Sequence, residues 1–181
     1  LDYFTGAEWI VEEFRGGRMV ILTDDEGREN EGDLVIPAEL ADAEAVNFMA
    51  KFGRGLICLA MTAQRVRELD LPLMARTNES RHQTAFTVSI EAREGVTTGI
   101  SAADRAHTIK DAFDPASGKP DLGSPGHVLP LIAPDGRPLV PAGHPDAEVA
   151  MAGLAEGRRR SALRDPNTTD PSRRQTMRVA A

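Results

Sequence analysis

The chain has 181 residues, of which 41% are apolar, and its formal net charge is −7. This length suits one domain with a hydrophobic core. The apolar runs are far shorter than the roughly 18 residues that span a bilayer, so we do not expect a membrane protein. A lone cysteine, Cys58, excludes an intramolecular disulfide framework and, with no apparent export signal, predicts a cytoplasmic protein.

The charge is unevenly distributed along the chain. Residues 157–181 contain seven arginines and two aspartates, a net of +5, so residues 1–156 carry −12. An acidic body favours metal cations over nucleic acid as partners, and no aromatic platform accompanies the arginines. We therefore predict one domain over residues 1–156 and a basic tail, disordered or frameshifted, over residues 157–181.

The periodicity of apolar residues predicts alternating strands and helices. Strands are expected at 18–23, 34–36, 55–61, 85–90 and 128–132, and helices at 7–14, 42–53, 62–69, 101–113 and 146–155. Asp42, Thr62 and Ser101 are predicted to cap three of these helices at their first turns. A polar connection is expected at 71–83 and a loop at 114–125. Mixed elements without repeats indicate a single α/β (α+β) layered domain, with helices packed on a mixed sheet.

An acidic segment lies between the first two predicted strands. Residues 24–33 hold six carboxylates, from Asp24, Asp25, Glu26, Glu29, Glu31 and Asp33. Carboxylates held this close repel one another and favour a bound cation, and hard oxygen ligands suit Mg²⁺ or Mn²⁺. Arg28 adds a bidentate donor for a carboxylate or phosphate. A solvated acidic hairpin explains the same residues, so both interpretations stay open.

Two histidines and one turn offer further chemistry. His127 and His144 each follow a glycine, which permits close approach to a ligand, and imidazole serves as a base or a metal ligand. The hydroxyl-rich turn 95–101 precedes a predicted helix, where free amides form a natural phosphate site. An ordinary capped turn is the alternative. Cys58 lies within a predicted strand, where a small core residue is the default.

Five segments in order resemble 3,4-dihydroxy-2-butanone 4-phosphate synthases of riboflavin biosynthesis. They are DDEGRENEGD (24–33), RGLIC (54–58), TAFTVSI (84–90), GVTTGISAADR (95–105) and PGHVLPL (125–131). The resemblance implies a homodimeric, Mg²⁺- or Mn²⁺-dependent lyase, with two ions per site. Its substrate would be the sugar phosphate D-ribulose 5-phosphate, and its products L-3,4-dihydroxy-2-butanone 4-phosphate and formate.

The resemblance also implies a role for individual residues. Glu29 and His144 would bind the metal, and Arg28, Glu29 and Asp33 would contact the substrate. His127 would be required for activity. Further positions line the family's site: the catalytic group would include Asp24, Glu31, Asp33 and Cys58, and the substrate-binding group Thr98, Ala142, Gly143 and His144.

The likeness weakens after His144. The family usually has Arg-Ala-Gly-His-Thr where this chain has Pro141-Ala142-Gly143-His144-Pro145, and proline provides no side-chain donor and no amide proton. The family's later segment with a catalytic glutamate has no counterpart in the sequence. We therefore expect a domain that is incomplete at its C-terminal end. A catalytically impaired remnant that still binds metal or sugar phosphate is the alternative function.

Overall fold

A computed structural model describes residues 12–23, 32–79, 84–133 and the backbone of 176–180. Six strands form one sheet in the order β1-β2-β6-β3-β5-β4. The strands are β1 (Val20–Thr23), β2 (Gly32–Pro37), β3 (Ile57–Thr62), β4 (Ile90–Ala92), β5 (Leu122–Ala133) and β6 (Thr176–Ala180). The helices are α1 (Ala43–Phe48), extended by a wider turn over Met49–Gly53, α2 (Ala63–Glu68) and α3 (Ala102–Phe113). Single 3₁₀ turns cover Ala38–Leu40 and Lys119–Asp121.

The pairing of the strands makes the sheet mixed, as predicted. β1 and β2 form an antiparallel hairpin, and β6 lies antiparallel to both β2 and β3. β3 and β5 run parallel, and β4 pairs antiparallel with β5 at the edge. The prediction of a mixed sheet with packed helices is confirmed. None of the helices in the described ranges has the length and apolar character needed to cross a bilayer.

The three predicted helix caps are confirmed. The Asp42 carboxylate accepts a hydrogen bond from the amide of Ala45 at 2.8 Å. The hydroxyls of Thr62 and Ser101 accept from the amides three residues later, at 3.2 Å and 3.0 Å. Each cap satisfies an amide that the first turn of a helix leaves without an intrahelical acceptor. Local side-chain chemistry therefore sets where these helices begin.

The two faces of the sheet are packed differently. Its larger core cluster joins sheet residues such as Ile36, Leu59 and Val128 to Val46 of α1 and Ile109 of α3. The opposite face carries two smaller clusters, built on Phe14, Val20 and Val35 and on Cys58, Ala60 and Leu131. Within the described residues, α1 and α3 therefore pack on the first face of the sheet.

The segment 85–90 differs from its prediction. Alternation predicts a strand with Thr87 on the polar face, yet regular pairing begins only at Ile90, and Thr87 is fully buried. The Thr87 amide and hydroxyl both donate to the carbonyl of Pro130, at 3.0 Å and 3.3 Å. Pro130 has no amide proton to return a hydrogen bond. A polar side chain is thus buried because it has an acceptor there.

β6 is not predicted by the sequence pattern, since its five residues follow a polar, aperiodic run. It occupies a central position between β2 and β3. The division at residue 156 stays a prediction, because the structure describes only Thr176–Ala180 of the segment beyond it. The predicted helix at 146–155 lies outside the described residues. Of the predicted helix at 7–14, residues 7–11 lie outside them too, and the described part is helical over residues 12–15. β5 begins six residues earlier than expected, inside the predicted loop 114–125.

Candidate active site

The strand register brings predicted site residues to one end of the sheet. Asp33 of β2 pairs with Ala180 of β6. Val179 pairs with Ile57, so Ala180 lies opposite Leu56, just before β3. Cys58 pairs with Leu129 in the parallel β3–β5 ladder, which aligns Leu56 with His127. Asp33 and His127 therefore lie in one row across four neighbouring strands.

The same register places these residues on one face. Partners across a ladder share a face, and so do residues two apart along a strand. Asp33, Cys58 and His127 thus lie on the face opposite α1 and α3. Three interstrand spacings separate the backbones of Asp33 and His127 by about 14 Å, so the two do not touch. Asp33 is 2% exposed and Cys58 is 1% exposed.

His127 has a charged partner that the sequence analysis does not single out. Its Nδ1 lies 2.5 Å from Oε2 of Glu91. Glu91 belongs to the edge strand β4, so this contact joins β4 to β5. The His127 side chain is 40% exposed and the Glu91 side chain 21%. The imidazole is therefore held on one side by a carboxylate and open to solvent on the other. Glu91 sits between two of the resembling segments, and a carboxylate directly after a predicted strand is the sequence signal for it.

Glycine at position 126 permits this arrangement. A Cβ atom there would lie 2.0 Å from the carbonyl oxygen of Ile90, far inside van der Waals contact. The amide of Gly126 donates a hydrogen bond to the hydroxyl of Ser89 at 3.1 Å. The absence of a side chain thus lets β5 approach β4 closely, directly before His127.

The turn that precedes α3 is closed by an internal anion. The carboxylate of Asp104, which is 6% exposed, accepts from the Thr97 hydroxyl at 2.8 Å and the Gly99 amide at 3.0 Å. The Thr97 hydroxyl is the main reason that the pKa of Asp104 is lowered from its ordinary value; burial opposes the shift, and backbone amides add to it. Two donors of the predicted phosphate turn are thus already used. Thr98, between them, is exposed.

The remaining predicted site residues lie outside the described residues. They are Asp24, Arg28, Glu29, Glu31, Ala142, Gly143 and His144. The flanks of the acidic segment are described: Thr23 and Gly32 pair directly, so the segment leaves and re-enters the sheet at the end where Asp33 lies. Within the described ranges no group of three or more His, Cys, Asp or Glu side chains is placed to hold a metal. The predicted metal ligands Glu29 and His144 stay a prediction.

Comparisons with known proteins agree on one family. The family model described as 3,4-dihydroxy-2-butanone 4-phosphate synthase matches residues 8–180. Enzymes of that name from Photobacterium phosphoreum and Pseudomonas aeruginosa are 50% and 53% identical, over 82% and 81% of this chain. These stretches are 41% and 40% of the relatives, so the chain spans about two fifths of their length.

Solved structures of 3,4-dihydroxy-2-butanone 4-phosphate synthases share the fold of this chain. One, in complex with two magnesium ions, superposes with a TM-score of 0.85 at 34% identity, over 98% of this chain and 76% of that one. A two-domain synthase from A. baumannii superposes with a TM-score of 0.82 at 40% identity, over 97% of this chain and 47% of that one. The likeness thus extends across the sheet that carries the candidate site.

Proposed function

Because this chain belongs to the 3,4-dihydroxy-2-butanone 4-phosphate synthase family, we propose that it is a lyase of riboflavin biosynthesis. It converts D-ribulose 5-phosphate into L-3,4-dihydroxy-2-butanone 4-phosphate and formate. The observation that carries the proposal is the shared face and sheet end of Asp33 and His127, where the acidic segment emerges. The backbones of these two residues are separated by about 14 Å, so we propose that the substrate binds between them.

The substrate is bound by residues from several parts of the chain. Arg28 and Asp33 contact the sugar phosphate, and a guanidinium suits a phosphate because it donates two parallel hydrogen bonds. Cys58 lies on the same face, buried in β3, and shapes the floor of the proposed site rather than reaching solvent. The other binding positions are Glu29, Thr98, Ala142, Gly143 and His144.

The donor atoms proposed for the metal fit a divalent cation. Glu29 supplies carboxylate oxygen and His144 imidazole nitrogen, and the paired residues Thr23 and Gly32 deliver the acidic segment to the site end of the sheet. Oxygen-rich ligands favour Mg²⁺ or Mn²⁺. A related synthase binds two magnesium ions, and we assign two such ions to this site. When bound, they polarise the substrate carbonyl and adjacent hydroxyls.

Proton transfers are assigned to residues of this chain. His127 exposes one side of its ring to the site, so its Nε2 accepts or returns a proton at a substrate hydroxyl. In this proposal Asp24 or Glu31, both of the acidic segment, moves protons in the enolisation and dehydration steps. His127 lies on β5 and the acidic segment joins β1 to β2, so we assign acid and base to different parts of the chain.

The protein acts as a homodimer in the cytoplasm in this proposal. The exposed apolar side chains Phe48, Phe52 and Leu56 support association with a second copy, since the first two rings lie 4.7 Å apart and form a continuous apolar surface. Light scattering during size-exclusion chromatography will give twice the mass of one chain if the dimer forms.

A formate assay tests the proposed activity. The full chain with D-ribulose 5-phosphate and Mg²⁺ is expected to release formate, and EDTA is expected to stop the release. Glu29→Ala should lower the rate by about 100-fold or more, because losing even an outer partner of a metal ligand costs 10–100-fold. Glu44→Ala is the matched control, since Glu44 is exposed on α1, on the opposite face of the sheet.

The same assay separates the two candidate functions. One outcome is that no formate is released, Mn²⁺ still binds, and Glu29→Ala raises the dissociation constant for Mn²⁺. The protein is then the impaired remnant that retains its ligand site. If neither formate release nor binding of Mn²⁺ or of D-ribulose 5-phosphate is measured, both functions are wrong. Equal rates for Glu29→Ala and Glu44→Ala would remove Glu29 from the proposed site.

A further inference from the structure

Glu91 belongs to the candidate site although no resembling segment includes it. Its Oε2 lies 2.5 Å from Nδ1 of His127, a short distance even for a charge-assisted hydrogen bond. The contact joins residues 36 positions apart, so it results from the pairing of β4 with β5 and not from local sequence. A carboxylate at the sheet edge has solvent as an alternative partner, yet it is directed inward to the imidazole.

A second element holds the same carboxylate in place. At Gly99 a Cβ atom would lie 1.9–2.0 Å from the carboxyl carbon and both oxygens of Glu91. Gly99 also has a φ of +81°, which side chains other than glycine rarely adopt. The turn before α3 therefore packs its bare backbone against Glu91. Since Asp104 fixes that turn through the Gly99 amide, the carboxylate is confined between the turn and the imidazole.

The chemistry of the contact determines which nitrogen of His127 is free. An ionised carboxylate is only an acceptor, so Nδ1 must carry the proton that it donates to Glu91. In the neutral imidazole Nε2 is then unprotonated and able to accept a proton or bind a ligand. A carboxylate in this position fixes the tautomer and the ring orientation.

We propose that Glu91 is the positioning residue of His127, holding it as the Nδ1–H tautomer with Nε2 directed to the substrate. Glu91 acts through the imidazole and does not touch the substrate. The role of His127 in turnover rests on the proposed lyase function, whereas the tautomer does not. Two measurements therefore test the proposal separately from that function.

The first measurement is the tautomer of His127, from ¹⁵N chemical shifts of the ring with His127→Gln to assign the signals. We expect a protonated Nδ1 and an unprotonated Nε2 in the parent protein at neutral pH. In Glu91→Ala the two forms should mix, and Glu91→Gln should keep part of the preference because its amide oxygen still accepts. An unchanged ring in Glu91→Ala, or an Nε2–H form in the parent, would overturn the proposal whether or not formate is produced.

The second measurement separates kcat from KM in formate release. Glu91→Ala should lower kcat by about 10–100-fold with KM changed less than about threefold, and Glu91→Gln should recover part of the loss. Glu94→Gln is the matched control, because Glu94 is an exposed carboxylate three residues away, and it should behave as the parent. Thermal unfolding of each variant checks folding. An unchanged kcat in Glu91→Ala, or an equal loss in Glu94→Gln, contradicts the positioning role.

Discussion

Arg65 offers a sharp test of how this fold is stabilised. Its side chain, on α2, is 2% exposed and reaches the C-terminal end of α3. The guanidinium donates to the carbonyls of Ala112, Asp114 and Ser117 at 3.0, 2.6 and 3.0 Å. The carbonyls of Ala112 and Asp114 lie at the end of α3, where a helix leaves carbonyls without intrahelical donors, and Ser117 belongs to the loop that follows. One buried cation therefore joins α2 to α3 and the loop that follows.

Replacing Arg65 by methionine keeps the apolar stem and removes every donor. The Ala112 contact is fully buried, and a buried acceptor left without a partner costs about 1–3 kcal/mol. The Asp114 carbonyl keeps the Ser117 amide as a donor, while the ion pair of Arg65 with Glu68 at 3.3 Å is also lost. The desolvation cost of the buried charge disappears with the substitution and offsets part of this loss. We expect a net loss of about 2–4 kcal/mol. With a urea slope of about 2 kcal/mol/M this lowers the unfolding midpoint by about 1–2 M.

Urea unfolding followed by circular dichroism measures this loss. Arg67→Met is the matched control, because Arg67 is exposed on the same helix and such changes usually stay within about 0.5 kcal/mol. Arg65→Lys should fall between the two, since an ammonium cannot copy the planar fork. Equal midpoints for Arg65→Met and Arg67→Met would refute the assignment of stability to the three carbonyl contacts.

Two further predictions concern the site. Gly126→Ala should lower the free energy of unfolding by about 3 kcal/mol through overpacking and reduce formate release, because its Cβ meets the Ile90 carbonyl at 2.0 Å. Gly123→Ala is the control. Its Cβ has its closest neighbour at 3.7 Å, so its urea midpoint should stay close to that of the parent. Because the pKa of Asp104 is lowered in the folded state, its contribution to stability is present above the unfolded value of about 3.9 and is lost as pH falls below it. Urea midpoints measured from pH 6 to pH 3 should therefore fall less steeply in Asp104→Asn than in the parent, and parallel curves would contradict this.

The parts of the fold that the sequence predicts are those set by neighbours in the chain. Asp42, Thr62 and Ser101 cap their helices because each hydroxyl or carboxylate bonds an amide three residues away. The burial of Thr87 is not predicted because it depends on Pro130, 43 residues later. β6 is not predicted because its pairing with β2 and β3 crosses most of the chain.

The same distinction explains what the sequence reveals of the site. Asp33, Cys58 and His127 are each found from their own segments, but only the register across β2, β6, β3 and β5 shows that they share a face. The Asp104 carboxylate meets Thr97 and Gly99 of the turn that was open to a phosphate. A second anion at those donors would repel the first. In the proposed enzyme this turn therefore contacts the substrate through Thr98. Its Gly99 backbone packs against the Glu91 carboxylate, which in turn holds His127.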